Sequence, residues 1–233
     1  MRDSIEDRLT RTIADTANMV RVRMEGDATG HDWWHVERVR RMALYIAQME
    51  GANSTICELA ALLHDLGDWK FQAGDETAGP RMAREWLESL ATPAPMIEQV
   101  CNIIGGISYK GAGVSTDMPT LEGQCVQDAD RLDAIGAVGI ARAFAFGGAF
   151  GRAMYNPEIP PQQHTDFAAY KSKSGPTLNH FYEKLLLLKD RMQTATGRLL
   201  ARERHTFMKT YLQQFLQEWN GPVGHEGATH GLK

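Results

Sequence analysis

The sequence predicts an all-α protein folded as one compact helical bundle. Apolar residues step by three or four nearly throughout, which is the helical period. No segment of useful length alternates polar and apolar residues as a half-buried strand would. Glycine, proline and capping residues interrupt the pattern at helix-length intervals, and neither an internal repeat nor a composition shift marks a boundary.

Ile5, Leu9, Ile13, Ala17, Val20 and Met24 define a first helix that ends near Gly26. A second begins near Asp32, turns Val36, Val39, Ala43, Ile46 and Ala47 inward, and stops at Gly51. Thr55 and Glu58 have capping-box spacing and predict the start of a third, which carries Leu59, Leu62 and Leu63 and stops at Gly67. Met82, Trp86, Leu87 and Leu90 give a fourth, ending before Thr92-Pro93. Ile97, Val100, Ile103 and Ile104 give a fifth, ending at Gly105-Gly106. Residues 106–119 read as a glycine-rich loop closed by Pro119. A sixth helix follows Thr120 with Cys125, Val126, Ala129, Leu132 and Ile135, and continues or restarts through Val138, Ile140, Ala141 and Phe144. Residues 147–176 read as a second loop. Two long helices follow, around Leu178–Met192 and Leu199–Trp219. Residues 1–220 are thus expected to form one domain, and 221–233, which lack an apolar period, a mobile tail.

The chain has 233 residues, 43% hydrophobic and 23% charged. A chain of that size buries about 70% of the surface it exposes when unfolded, so neither disulfides nor a structural metal is needed to fold it. Twenty-five Lys+Arg against 29 Asp+Glu give a net charge of −4. That balance offers no general attraction to nucleic acid or an anionic membrane, though it leaves room for one local cationic pocket. Cys57, Cys101 and Cys125 are odd in number and far apart, which argues against a disulfide framework or a cysteine zinc site and for buried free thiols. The charged N-terminus has no signal-peptide pattern, and no apolar run approaches membrane-spanning length. The expectation is a cytoplasmic protein.

Three segments carry chemistry. Gly30-His31-Asp32-Trp33-Trp34-His35-Val36-Glu37-Arg38-Val39 opens the second helix, with His31 and His35 four apart and able to share a face. Leu62-Leu63-His64-Asp65-Leu66-Gly67-Asp68 ends the third with an adjacent His-Asp pair. Val126-Gln127-Asp128-Ala129-Asp130-Arg131-Leu132-Asp133 places three carboxylates on an otherwise apolar helix. Aspartate is a poor helix former, and a carboxylate among apolar neighbours needs a cation or a metal. Asp32 reads as a helix N-cap. His164, His180, His205, His225 and His230 read as ordinary surface or core histidines.

The order His, His-Asp, Asp resembles the HD-domain superfamily of metal-dependent phosphohydrolases. It most resembles the small bacterial HD hydrolases, with their His-Asp-x-x-His-x-x-Arg-Val start and Asp-Ala-Asp-Arg-Leu-Asp segment. These stand here at 31–39 and 128–133, and the resemblance extends through Gly139-Ile140-Ala141-Arg142 over most of the chain. It implies a helical bundle of the HD type, with His35, His64, Asp65 and Asp130 as ligands of one divalent ion. Imidazole plus carboxylate suits Mn²⁺, Fe²⁺, Ni²⁺ or Zn²⁺, and Mg²⁺ is also admitted. The segment Cys101–Gly113 has no histidine where some relatives hold a second metal. His31 and Asp68 are candidates for the general acid or base, or for residues orienting the ligands. Lys110 and Arg142 are candidates to hold phosphate, with Lys184 and His180 possible cavity-lining residues. Asp128 and Asp133 are expected to orient neighbours or hold Arg131, and Arg38 to form a structural ion pair. The implied function is hydrolysis of a small phosphorylated metabolite, with a nucleotide as first choice. The alternative is a non-catalytic module that senses a nucleotide or phosphate. No nucleic-acid-binding surface and no membrane association are expected, and a homodimer is compatible with the sequence.

Overall fold

The computed structural model describes residues 4–26, 30–67, 75, 77–109, 114–162 and 175–221. Their regular structure is helical: α1 (Ile5–Arg23), α2 (Trp33–Glu50), α3 (Ser54–Leu63), α4 (Ala78–Ser89), α5 (Ala94–Gly106), α6 (Leu121–Asp133), α7 (Gly136–Ala149), α8 (Asn179–Glu183), a 3₁₀ turn (Leu185–Arg191) and α9 (Ala195–Asn220).

Helix α3 is the centre. Leu59 through Leu63 are all fully buried, so the helix is apolar around its whole circumference and must be covered on every side. Helices α1, α2, α5 and α6 pack around it. Helix α2 buries Val36, Val39, Ala43, Ile46 and Ala47 completely. Each of the larger side chains contributes roughly 1.5–3 kcal/mol by leaving water. The start of α2 is fixed by Asp32, whose side chain accepts from the His35 N–H at 2.9 Å. Its end is fixed by Gly51 in the left-handed region (φ 78).

Three expectations need correction. Helix α3 starts a residue before Thr55, because the Asn53 side chain caps it by accepting from the Ile56 N–H at 3.2 Å. His31 precedes the Asp32 cap and so lies outside α2, not on it. The predicted long helix Leu178–Met192 is instead the five-residue α8 followed by a 3₁₀ turn. That tighter winding buries Leu185 and Leu188 while Lys189 and Arg191 stay at the surface end. Of the two roles expected for Asp128 and Asp133, orienting neighbours or holding Arg131, Asp133 takes the first by facing His35 and Asp128 attracts Arg131 through space, while Arg131 donates to the Arg191 carbonyl and to Thr116 Oγ1.

Helices α6 and α7 are separate and meet at 69°. Gly136 (φ 78) makes the turn, and a Cβ on Gly139 would lie 2.2 Å from the Ala134 carbonyl oxygen, so only glycine lets α7 leave so tightly. Among the described residues no single helix is long and apolar enough to cross a membrane; this bent pair passes that test only jointly. The three cysteines are free and buried. The tail beyond residue 221 lies outside the described residues.

Asp128 is fully buried. It accepts from the backbone N–H groups of Gln193 (3.0 Å) and Thr194 (2.8 Å) and from Thr194 Oγ1 (2.7 Å), locking α6 to the start of α9. Asp128→Ala strands these donors and is expected to cost about 3 kcal/mol. Denaturant unfolding checks this; an unchanged midpoint would contradict it.

Candidate metal centre

Three elements deliver the site. His35 comes from the first turn of α2, His64 and Asp65 follow the last turn of α3, and Asp130 sits in α6. The apolar faces that cover α3 force these ends together.

The donor atoms converge. His35 Nε2 lies 3.2 Å from His64 Nε2, 3.2 Å from Asp65 Oδ2 and 3.6 Å from Asp130 Oδ1. His64 Nε2 lies 3.5 Å from Asp65 Oδ1 and 3.8 Å from Asp130 Oδ1. Donors held about 2.0–2.2 Å from one ion sit about 3–3.5 Å apart, so the spacing fits a shared cation.

The opposite ring nitrogens say the same. His64 Nδ1 can only donate to the Ala61 carbonyl, at 2.7 Å. His35 Nδ1 donates to Asp133 Oδ2 at 2.8 Å. In its neutral form each ring would therefore present an unprotonated Nε2 to the centre, as ligating histidines do. Both histidine side chains are 1% exposed, so water does not screen the contact.

The histidines and carboxylates of the site already pair with one another. Burial and the Arg142 charge push the His35 ring down, but hydrogen bonds with Asp133 and Asp65 outweigh them and hold it above the usual imidazole value. Burial pushes the Asp65 carboxyl up, yet the adjacent His64 and His31 hold it well below the usual carboxylate range.

Behind His35 lies a second layer. Asp133 accepts from Arg38 Nε (2.7 Å) and Nη2 (3.1 Å) and from Arg142 Nη1 (2.9 Å), in addition to His35. Burial raises the Asp133 carboxyl, but these donors keep it well below its ordinary value and so ionised. Arg38 is thus a structural ion pair, as expected. Arg142 also donates from Nε to the Gly30 carbonyl at 2.8 Å. It lines the cavity with two of its three nitrogens already engaged.

His31 stands beside this centre. Its Nδ1 lies 2.9 Å from Asp65 Oδ2, and its ring meets that of His35 edge-on at 5.6 Å. Residues His31, His35 and Asp65 form a second group able to hold a cation, overlapping the first. Asp68 and Lys110 lie outside the described residues.

The centre opens into a cavity of about 390 Å³. His180 and Lys184 line it, as the sequence suggested. Tyr109, Phe146, Phe150 and Arg152 also line it, and sequence reasoning missed them. Phe146 and Phe150 are four apart in a run of small residues, a signal that was present but indistinguishable from a core face.

The chain matches the HD domain over residues 33–135. It is 41% identical over 196 residues to the uncharacterized protein YpgQ of Bacillus subtilis, covering 84% of this chain and 87% of that one. A Bacillus thuringiensis structure described as an HD-superfamily hydrolase superposes with TM-score 0.70 at 43% identity, over 91% of this chain and 99% of that one. The structure of B. subtilis YpgQ in complex with ADP superposes with TM-score 0.67 at 37% identity, over 89% of this chain and 98% of that one. The matched segment runs from the first turn of α2 to just beyond α6 and so spans His35, His64, Asp65 and Asp130; the chain belongs to the HD-domain superfamily, among the small bacterial HD-superfamily hydrolases.

Proposed function

We propose that the chain is a metal-dependent phosphohydrolase whose substrate is a nucleotide, with His35, His64, Asp65 and Asp130 holding one divalent ion. The observation that carries this reading is the grouping of His35, His64 and Asp130, and of His31, His35 and Asp65, with the donor atoms of each group within 4.8 Å of one another beside a cavity. ADP bound to the related YpgQ supports the nucleotide.

A divalent ion held there would lower the pKa of a coordinated water and polarise a phosphoryl oxygen. The chain's own residues do the rest. Asp133, clamped by Arg38 and Arg142, keeps the His35 ring turned with Nε2 inward. His31, 18% exposed and bonded to Asp65, is placed to accept or return a proton at the cavity wall. Lys184 and Arg142, which line the same cavity, would supply positive potential for phosphate together with Lys110, and Asp68 is the second candidate for the general acid or base.

The purified protein with Mn²⁺ is expected to release phosphate or pyrophosphate from at least one nucleotide in a broad panel, and EDTA is expected to abolish release. Turnover absent with every divalent ion tried, from protein shown to bind metal and nucleotide, would favour the sensing alternative.

His31→Ala is expected to lower kcat about 100-fold, the usual worth of one proton-transfer group, with metal content near that of the parent. Unchanged kcat would remove His31 from the mechanism.

A further inference from the structure

The cavity lining pairs rings with cations in two places. Phe146 and Phe150 pack at 4.5 Å between ring centroids, and the Arg152 guanidinium lies 5.6 Å from the Phe146 ring centre. Lys184 Nζ lies 5.1 Å from the ring centre of Tyr109. His31, His64, Asp65 and Asp130 line the same cavity, and the His31 ring meets Phe146 edge-on at 6.3 Å.

The Phe146–Phe150 pair is costly unless something covers it. Phe150 is 54% exposed at the end of α7, in the run Gly147-Gly148-Ala149-Phe150-Gly151. A Cβ on Gly148 or Gly151 would meet nothing within 4 Å, so the small neighbours leave the Phe150 ring uncovered. The position is fixed by Gly147, where a Cβ would fall 2.1 Å from Thr177 Oγ1. An open aromatic shelf with a guanidinium beside it, in a cavity shared with an ion site, suits a flat, electron-rich ring attached to phosphate.

We propose that Phe146, Phe150 and Arg152 form the subsite for the nucleobase, and that the substrate lies with its phosphates running past the metal centre toward Lys184. This rests on the nucleotide reading above and deepens it: the shelf selects substrates that carry an aromatic base over ring-free phosphates. Stacking and cation–π contacts read the face of the ring, not its hydrogen-bonding edge, so purines are favoured by area and no single base is demanded.

The test is isothermal titration of the full chain with ADP and, separately, with inorganic pyrophosphate, each with Mn²⁺ and again with Mg²⁺. Phe150→Ala and Arg152→Ala are expected to weaken ADP about 10-fold each while leaving pyrophosphate affinity within about twofold. Phe150→Tyr, which keeps the ring, is expected to bind ADP like the parent. ADP affinity unchanged in both alanine variants overturns the subsite and leaves the nucleotide reading standing. Equal weakening of ADP and pyrophosphate also overturns it, since the residues would then act on phosphate or cavity shape. A parent chain that binds pyrophosphate but not ADP overturns the nucleotide reading and the subsite together.

Discussion

Asp130→Ala is expected to empty the metal site and reduce hydrolysis by about 10³-fold or more. Loss of a residue that merely orients a ligand costs roughly 10–100-fold in metal affinity or activity, and loss of a ligand exceeds that. The choice of residue matters. The Asp130 side chain is 33% exposed, so its removal leaves neither a sealed cavity nor an unpartnered buried donor. His64, at 1% exposure with its Nδ1 on the Ala61 carbonyl, would give a less clean test. Metal analysis and thermal unfolding read the result independently of turnover. An ion at 100 times its Kd adds about 2.7 kcal/mol to stability, and this increment should vanish in the variant. The metal-free variant should unfold at or slightly above the parent, because one of two neighbouring carboxylates has gone. A variant that keeps both the ion and the stabilisation would remove Asp130 from the ligand set.

Asp133→Ala is the second large effect, and it should appear in stability as well as in metal binding. The carboxylate is 7% exposed and faces two guanidinium groups and an imidazole. Removing one partner of a buried ion pair leaves charge uncompensated and costs about 3–5 kcal/mol. Asp133→Asn separates the two roles. It keeps the volume and one acceptor, so folding survives at reduced stability, while the His35 ring loses the ionised partner that fixes its tautomer. Metal affinity is then expected to fall about 10–100-fold. The physical logic predicts that Arg38→Ala weakens stability more than metal affinity, since Arg38 touches Asp133 and not the ligands. Equal metal affinity in Asp133→Asn and parent would reduce Asp133 to a structural anchor.

The helices could be read from the chain because their determinants are local. The 3.6-residue period of Val36, Val39, Ala43 and Ile46, the Asp32 cap and the Gly51 stop act within a few residues of where they stand. The 178–192 segment failed for the opposite reason. Its leucines suit a helix, but the burial required of Leu185 and Leu188 against α9 selects a tighter turn that local propensity does not encode. His31 failed similarly: four-residue spacing from His35 is helical only if the helix has already begun, and the Asp32 cap places its start later.

The same division runs through the site. By itself the sequence determined the helical class and the order of the helices, because residue type and spacing are properties of the chain; the candidate donors His35, His64, Asp65 and Asp130 came from its resemblance to the HD family. Only the tertiary structure decided that His35 Nε2 lies 3.2–3.6 Å from His64, Asp65 and Asp130, that Asp133 faces His35 and not Arg131, and that Arg142 is tied to Gly30 and Asp133. It alone brought Phe146, Phe150, Arg152 and Lys184 around one cavity. Those contacts join residues far apart in the chain, and they are set by how the apolar faces around α3 close on one another, a property of the packed whole and not of any segment.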